Sequence, residues 1–118
     1  MTLAPIGLGI LGCGRMGSAH ARIAATMVPE ARLVALGDVD RTAAERVAVD
    51  VGDPRVHDSA ASLAADPNVD AVLIAVSSSR HLDAIRVIAD AGKAILCEKP
   101  LALTVAETDE AIQVAAAA

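Results

Sequence analysis

The sequence has 118 residues, of which 54% are hydrophobic, and its net charge is −5 at pH 7. This is the length of one compact domain with its own core, and the acidic balance argues against a nucleic-acid partner. No apolar run reaches the length of a membrane span, so we expect no membrane partner either. The two cysteines lack metal or redox spacing, which predicts no metal site and a reducing, cytoplasmic location.

Strand-like and helix-like segments alternate along the whole chain. Short apolar runs predict strands, and apolar residues at helical spacing predict helices. In chain order the predicted elements are strand Ile6–Leu11, helix Arg15–Met27, strand Arg32–Leu36, helix Arg41–Val51, strand Arg55–His57, helix Ser59–Ala65, strand Ala71–Val76, a helix over 80–91, strand Ala94–Cys97 and a helix from Val105 onward.

Local signals add detail at the helices. Met16, Ala19, Ile23 and Met27 recur at helical spacing, which predicts that they form the buried face of the first helix. Asp40, the serines at 77–79 and Thr104, which has a glutamate three residues later, are predicted N-caps of later helices.

Near-continuous apolar strands that alternate with helices predict an α/β fold with a parallel sheet covered on both faces. We expect a three-layer, doubly wound Rossmann arrangement of about five strands in the order 3-2-1-4-5. Residues 1–118 then form one dinucleotide-binding domain. The sixth strand of a full domain of this kind is expected after the last helix, so the sequence looks like a truncated or isolated domain.

The first predicted strand runs into a glycine-rich motif that opens a helix. Gly12 would make the tight turn, Gly14 would let a pyrophosphate approach the backbone, and Gly17 would let the helix pack closely on the strand. The amides around Arg15 and Met16, at the positive end of the helix dipole, would bind the phosphates. The alternative is a glycine-rich turn that holds no ligand.

Asp38 ends the second strand, 21 positions after Gly17, close to the spacing expected for the acid that binds an adenosine ribose. A carboxylate there favours NAD because it repels a 2′-phosphate. Arg41 keeps NADP open as the less favoured cofactor, although a solvated residue in the first helical turn is the preferred interpretation. Asp38 could instead serve only the turn.

Ser77 and Ser78 follow the fourth strand, which flanks the point where the strand order reverses. This loop, with His81 beyond it, is predicted to face the nicotinamide half of the cofactor. The alternative for His81 is a structural histidine in the first turn of a helix. His20 is predicted to be packed or solvated, and His57 to be structural.

Glu98, Lys99 and Pro100 follow the fifth strand, at the same predicted edge of the sheet. Pro100 biases the preceding residue towards extended geometry and permits a cis bond. A lysine held beside the cofactor can hydrogen-bond a hydroxyl and help to deprotonate it. Lys99 is therefore the candidate catalytic residue, Glu98 is expected to orient it or hold its charge, and all three residues are candidates for cofactor contact.

Together these motifs resemble the Gfo/Idh/MocA oxidoreductases, in particular their inositol-2-dehydrogenase-like members. The match covers essentially the whole chain, and a glycine motif combined with Glu-Lys-Pro after a strand is far more specific than either alone. The matching stretches are GCGRMG at 12–17, VALGDVD at 34–40, DAVLIAV at 70–76 and AGKAILCEKPLALT at 91–104.

The resemblance implies a nicotinamide-dependent dehydrogenase of sugars or cyclitols such as myo-inositol. Asp38 would match the ribose-binding acid of the family and Lys99 the lysine that touches substrate and nicotinamide, with Pro100 in the cis position. Family members carry a second domain that supplies most of the substrate pocket. The chain alone is therefore expected to bind cofactor with little or no turnover and to self-associate through its uncovered sheet edge. The alternative is a stand-alone nucleotide-binding or partner-docking module.

Overall fold

The structure, a computed structural model, describes residues 4–118. Five strands and five helices alternate, as the apolar pattern predicts. In chain order they are β1 (Ile6–Leu11), α1 (Arg15–Met27), β2 (Ala31–Gly37), α2 (Arg41–Asp50), β3 (Arg55–His57), α3 (Ala60–Ala64), β4 (Ala71–Ile74), α4 (His81–Asp90), β5 (Ala94–Cys97) and α5 (Val105–Ala117), with a short 3-10 turn (Ser78–Arg80) before α4.

All strand pairs are parallel, and the sheet has the order β3-β2-β1-β4-β5. The predicted strand order is therefore confirmed. The chain first builds outward from β1 to β3 and then restarts on the other side of β1 with β4. The carboxyl ends of β1 and β4 consequently flank the point where the order reverses, which is where ligands bind in open α/β sheets.

Successive residues of each strand point to opposite faces of the sheet, and each face has its own helix layer. Ile10, Leu36 and Leu73 pack with buried residues of α1 and α2 on one face. Leu11 and Ile74 pack with α3, α4 and α5 on the other. These two layers and the sheet make the three-layer arrangement expected from the sequence.

The buried face of α1 is not the predicted one. Its buried residues are Gly17, Ala21 and Ala24, whereas Met16, Ile23 and Met27 are 49%, 48% and 73% exposed. At the start of α1 a Cβ on Gly17 would lie 1.6 Å from the carbonyl oxygen of Gly12, so the face of the helix next to the sheet holds small residues and the large apolar ones lie on the outer side. The positions of the hydrophobic residues alone therefore predict the wrong buried face for α1, because close packing against the sheet favours small side chains there.

Two of the three predicted N-caps are made. The side chain of Asp40 accepts a hydrogen bond from the α2 backbone, and that of Thr104 accepts one from the amide of Glu107. Ser77 makes no side-chain cap, because the chain after β4 forms a 3-10 turn before α4 begins at His81. Within residues 4–118, none of the helices is long and apolar enough to cross a membrane.

Candidate functional site

The carboxyl ends of four strands lie in one row across the sheet. Gly37 lies beside Leu11, and Leu11 lies beside Ile74. Ile74 in turn lies beside Cys97. The segments that leave these strands therefore emerge together at one edge. They are the glycine turn at 12–17, the acidic turn at 38–40, the serine turn at 77–79 and the lysine turn at 98–100.

The glycine turn has two positions where a side chain cannot fit and one where there is open space. Gly12 has φ +101°, and a Cβ added there would lie 2.6 Å from the carbonyl oxygen of Ala75. A Cβ on Gly17 would lie 1.6 Å from the carbonyl oxygen of Gly12. A Cβ on Gly14 would meet nothing within 4 Å. Gly12 and Gly17 are therefore required by packing, whereas Gly14 borders space that a ligand can enter.

The N-terminus of α1 opens onto that space. Gly14 is its N-cap residue and supplies no side-chain hydrogen bond, whereas α2, α3 and α5 each have a side-chain cap. Arg15 and Met16, in the first turn, are exposed. The first-turn amides of α1, like those of α4, thus lack a side-chain acceptor of the kind that caps α2, α3 and α5, and an anion can take that place.

Asp38 connects the acidic turn to the glycine turn. Its Oδ2 accepts a hydrogen bond of 2.8 Å from the amide of Cys13, and its Oδ1 accepts one of 2.9 Å from the amide of Asp40. The remaining lone pairs of both oxygens can still accept hydroxyl groups. Arg41 donates to Glu45 over 2.9 Å on the exposed side of α2, as expected for a solvated residue.

Beside Asp38 lies a cleft that the sequence did not predict. Its volume is about 170 Å³, and its walls are mainly apolar. No local motif marks it, because its lining comes from segments far apart in the chain. Its lining residues are the apolar Leu11, Val39, Ala60, Val76, Ala84 and Val87 and the charged Asp38, Arg80 and Asp83. A larger hollow of about 530 Å³ lies at the opposite edge of the sheet, between the end of α1 and the start of β2, and none of the four turns lines it.

The lysine turn leaves Lys99 exposed between two residues that are held in place. The Lys99–Pro100 peptide bond is cis, as the sequence suggested. Within the described part of the chain, the Lys99 ammonium group has no hydrogen-bond or salt-bridge partner. Glu98, which was expected to orient Lys99, instead lies 2.5 Å from Nε2 of His20 on α1. Glu98 therefore ties the lysine turn to the helix that follows the glycine turn.

His81 lies behind the lysine turn and is only 1% exposed. Its Nδ1 is 2.8 Å from the carbonyl oxygen of Pro100 and 3.2 Å from that of Leu101. Its Nε2 is 2.9 Å from the carbonyl oxygen of Val76. This geometry does not present the ring to a cofactor, and it favours the structural alternative left open for His81.

The other predicted site residues fall into two groups. Ser77 is exposed and Ser78 half-buried, just beyond the end of β4 and next to the glycine turn. His57 bonds Ser62 and Asp66 and is structural, as expected. His20, predicted to be packed or solvated, is the residue that sequence reasoning missed. Its partner Glu98 is 78 positions away, so no local signal could have found the pair.

Neither cysteine is set up for chemistry. Burial, followed by the negative charge of Asp38, raises the pKa of the Cys13 thiol to about 12. Burial and then the charge of Glu98 raise the pKa of the Cys97 thiol to about 11. Both remain thiols at neutral pH and are poor nucleophiles. Among residues 4–118 no group of three or more His, Cys, Asp or Glu residues is placed to hold a metal ion.

A parallel sheet in this order, a glycine turn that opens a helix and an acid at the end of β2 define a dinucleotide-binding Rossmann domain. Residues 6–118 match the Gfo/Idh/MocA family, described as an oxidoreductase family with an NAD-binding Rossmann fold. The chain belongs to this family and contains its NAD-binding domain. The family resemblance and the fold expected from the sequence are confirmed, and so is NAD as the cofactor.

Several relatives are inositol dehydrogenases. The chain is 40% identical to scyllo-inositol 2-dehydrogenase (NAD(+)) of Bacillus subtilis over 102 residues, which are 86% of this chain and 30% of that protein. It is 40% identical to inositol 2-dehydrogenase 2 of Saccharopolyspora erythraea over 97 residues, 82% of this chain and 29% of that protein.

Among solved structures, myo-inositol dehydrogenase from Lactobacillus casei, in complex with NAD(H) and myo-inositol, superposes with a TM-score of 0.90 at 30% identity. The superposition covers 97% of this chain and 34% of that one. The chain thus spans about a third of the length of the relatives that it matches.

Proposed function

We propose that this chain is the cofactor half of an enzyme that transfers hydride between a secondary alcohol of a cyclitol or sugar and NAD. The observation that carries the proposal is the arrangement of four turns, including the one with the exposed Lys99, at a single edge of the sheet. The inositol dehydrogenases among its relatives support the substrate class.

The residues present fit the cofactor along the whole edge. The open space at Gly14 and the uncapped first turn of α1 suit the pyrophosphate. The carboxylate of Asp38 suits the hydroxyls of the adenosine ribose, and the apolar cleft beside it suits the flat adenine ring. Ser77 and Ser78, past the end of β4, are the residues proposed to contact the nicotinamide half.

When bound, NAD supplies the hydride acceptor, and the chain's own residues place the alcohol and manage its proton. The exposed Nζ of Lys99 is the group proposed to contact both the reacting hydroxyl and the nicotinamide beside it. As the hydroxyl is oxidised to a ketone and its hydride passes to NAD, Nζ would hydrogen-bond the oxygen and, in its neutral amine form, accept the hydroxyl proton. Glu98, held by His20, fixes the turn from which Lys99 projects.

We further propose that residues 1–118 are one domain of a longer enzyme. The relatives are about three times as long as the segment that they share with this chain. Near β5 the chain exposes Leu96 and Leu103 at 64% and 62%, as well as Ile112 on α5 at 55%. A catalytic lysine without the remaining substrate contacts lacks the proximity and orientation that a closed cleft provides. The isolated chain is therefore expected to bind cofactor with little or no turnover.

The cytoplasm is the proposed location. Both cysteines are free thiols within the fold, as is usual in a reducing compartment.

The test combines a binding measurement with an activity measurement on the purified chain. Calorimetric titration should show NADH binding, and incubation with NAD and myo-inositol should give no appreciable NADH. If NADH does not bind, the proposed function is wrong. The control is Lys93→Ala, which replaces the other lysine of the chain. If the purified chain oxidises inositol, and this activity is lost in Lys99→Ala and kept in Lys93→Ala, then no further polypeptide is needed for turnover.

A further inference from the structure

The lysine turn is held on both flanks by histidines from different helices. On one side, Nε2 of His20 on α1 lies 2.5 Å from Oε1 of Glu98. On the other, His81 at the start of α4 contacts the carbonyl oxygens of Pro100 and Leu101 at 2.8 and 3.2 Å. The residues on both sides of Lys99 are thus attached to side chains that come from separate parts of the chain.

The contacts of His81 are buried hydrogen bonds, and the loss of one of them would cost stability. All three partners of the ring are backbone carbonyl oxygens, which can only accept hydrogen bonds. A contact is therefore made only by a ring nitrogen that carries a hydrogen. Because the ring is 1% exposed, water cannot readily replace a lost partner, and an unpaired carbonyl there is costly. A neutral ring carries one such hydrogen, so it donates either to the lysine turn or to the carbonyl of Val76 at the end of β4, whereas a protonated ring donates to both.

The contact between His20 and Glu98 connects the lysine turn to α1. The side chains of His20 and Glu98 are 28% and 25% exposed, so this pair is partly open to solvent and does not belong to the core. His20 belongs to the same helix whose N-terminus faces the proposed phosphate site. The pair therefore links the helix that receives the cofactor phosphates to the turn that presents the lysine.

Lys99 itself is exposed and, within residues 4–118, makes no contact of its own that would fix its side chain. Its placement consequently depends on the backbone of the turn. We propose that His20 and His81 are positioning residues that act through this backbone to set Lys99 against the nicotinamide. The proposal rests on the proposed function, because it takes Lys99 as the residue that contacts the nicotinamide half.

The test compares NADH with ADP-ribose, which lacks the nicotinamide. The ratio of their affinities isolates the nicotinamide half, since both ligands use Asp38 and the glycine turn. Loss of one hydrogen bond from Lys99 should lower this ratio roughly 2- to 10-fold in Lys99→Ala. His20→Ala and His81→Gln should lower it in the same direction, with His81→Gln milder than His81→Ala because an amide nitrogen can still donate to one side.

The matched control is His57→Gln. His57 is the remaining histidine of the chain and bonds Ser62 and Asp66, away from the lysine turn. Its substitution should lower stability and leave the NADH to ADP-ribose ratio unchanged. Because His81→Ala removes a buried ring and can prevent folding, the conclusion depends on His20→Ala, which alters a partly exposed surface pair.

A double-mutant cycle separates positioning from a purely structural role. If the histidines act through Lys99, His20→Ala should change the ratio much less in a Lys99→Ala background than in the wild type. Hydrogen exchange of the segment 98–103 should also be faster in His20→Ala and in His81→Gln, with no cofactor present.

The outcomes distinguish the two proposals. Absence of NADH and ADP-ribose binding by the wild type overturns the proposed function, and the positioning proposal falls with it. An unchanged ratio in Lys99→Ala overturns the role of Lys99 at the nicotinamide. A ratio that falls in Lys99→Ala and is unchanged in His20→Ala and His81→Gln overturns the positioning proposal alone.

Discussion

Asp38 and Cys13 are joined by a hydrogen bond of 2.8 Å in which the backbone amide of Cys13 donates to Oδ2 of the carboxylate. The same carboxylate accepts the amide of Asp40 through Oδ1. One side chain therefore ties the end of β2 to the glycine turn after β1. The acid proposed to bind the ribose also shapes the turn that faces the phosphates.

Replacement of Asp38 by alanine should weaken NADH binding and reduce the preference for NADH over NADPH. Hydrogen bonds to a charged group contribute about 1.5–3 kcal/mol, which corresponds to roughly a 10- to 100-fold loss of NADH affinity. Calorimetric titration with both cofactors measures the change. Asp40→Asn, two residues away, should leave the preference unchanged. Tighter NADPH binding by the wild type would contradict the assignment of Arg41 as a solvated bystander.

Two alanine substitutions in the glycine turn should have opposite effects. Gly17→Ala places a Cβ 1.6 Å from the carbonyl oxygen of Gly12, so it should lower the free energy of unfolding by about 3 kcal/mol or more. Gly14→Ala meets no atom within 4 Å and should hardly change stability, but its methyl group enters the proposed phosphate site and should weaken NADH binding. Urea unfolding followed by far-UV circular dichroism, together with NADH titration, separates the two. Equal NADH affinity in Gly14→Ala and wild type would place the phosphates elsewhere.

Stability should depend on the ionised form of Asp66. Burial raises the pKa of this carboxyl, but the hydrogen bonds from His57 and the amide of Asn68 and the charge of Arg55 outweigh burial, so its pKa lies below the ordinary value of 3.8. A carboxyl whose folded pKa is lowered stabilises the fold above the unfolded pKa, and this stabilisation is lost as pH falls through the folded value.

Asp66→Asn should therefore lower the free energy of unfolding by about 1 kcal/mol at neutral pH. The difference from wild type should shrink as the pH is lowered below 3.8. Urea midpoints measured across this range provide the test, and Asp58→Asn, an exposed acid of the same region, is the matched control. A difference that grows in acid would mean that Asp66 is not charged in the folded state.

The edge of the sheet at β5 should make the isolated chain self-associate. Leu96 is 64% exposed on this edge strand, which pairs on one side with β4, and such edges invite further pairing. Leu96→Lys should shift the chain towards monomer in sedimentation velocity. Val49→Lys, at a site on α2 that is 73% exposed, should not. A wild-type chain that stays monomeric at high concentration would favour a stand-alone binding module.

The features that the sequence could predict are those with local signals. The element order, most boundaries and the N-caps Asp40 and Thr104 follow from apolar spacing and from side chains that bond the backbone within a few residues. The glycine turn could also be predicted, because the glycines that its geometry requires lie within six consecutive positions. Strand order followed from topology rules that hold for all parallel sheets.

The features that the sequence could not predict depend on residues far apart in the chain. Glu98 pairs with His20 across 78 positions, so it can orient its neighbour Lys99 only through the backbone of the turn and not through a direct contact. The apolar cleft beside Asp38 likewise draws its walls from separate segments. The face of α1 was mispredicted because the distance between helix and sheet, and hence the preference for small residues such as Gly17, exists only in the folded chain.

The row of strand ends has a consequence for any measurement of binding. The four turns meet only when β1, β2, β4 and β5 are all paired, so an unfolded or partly assembled chain has no site. Cofactor and fold are then thermodynamically linked, and NADH at a hundred times its Kd should add about 2.7 kcal/mol to the stability of the chain. Thermal shift with NADH therefore reports on the whole sheet, and a substitution anywhere in the core will resemble a weakened binding residue unless stability is measured beside affinity.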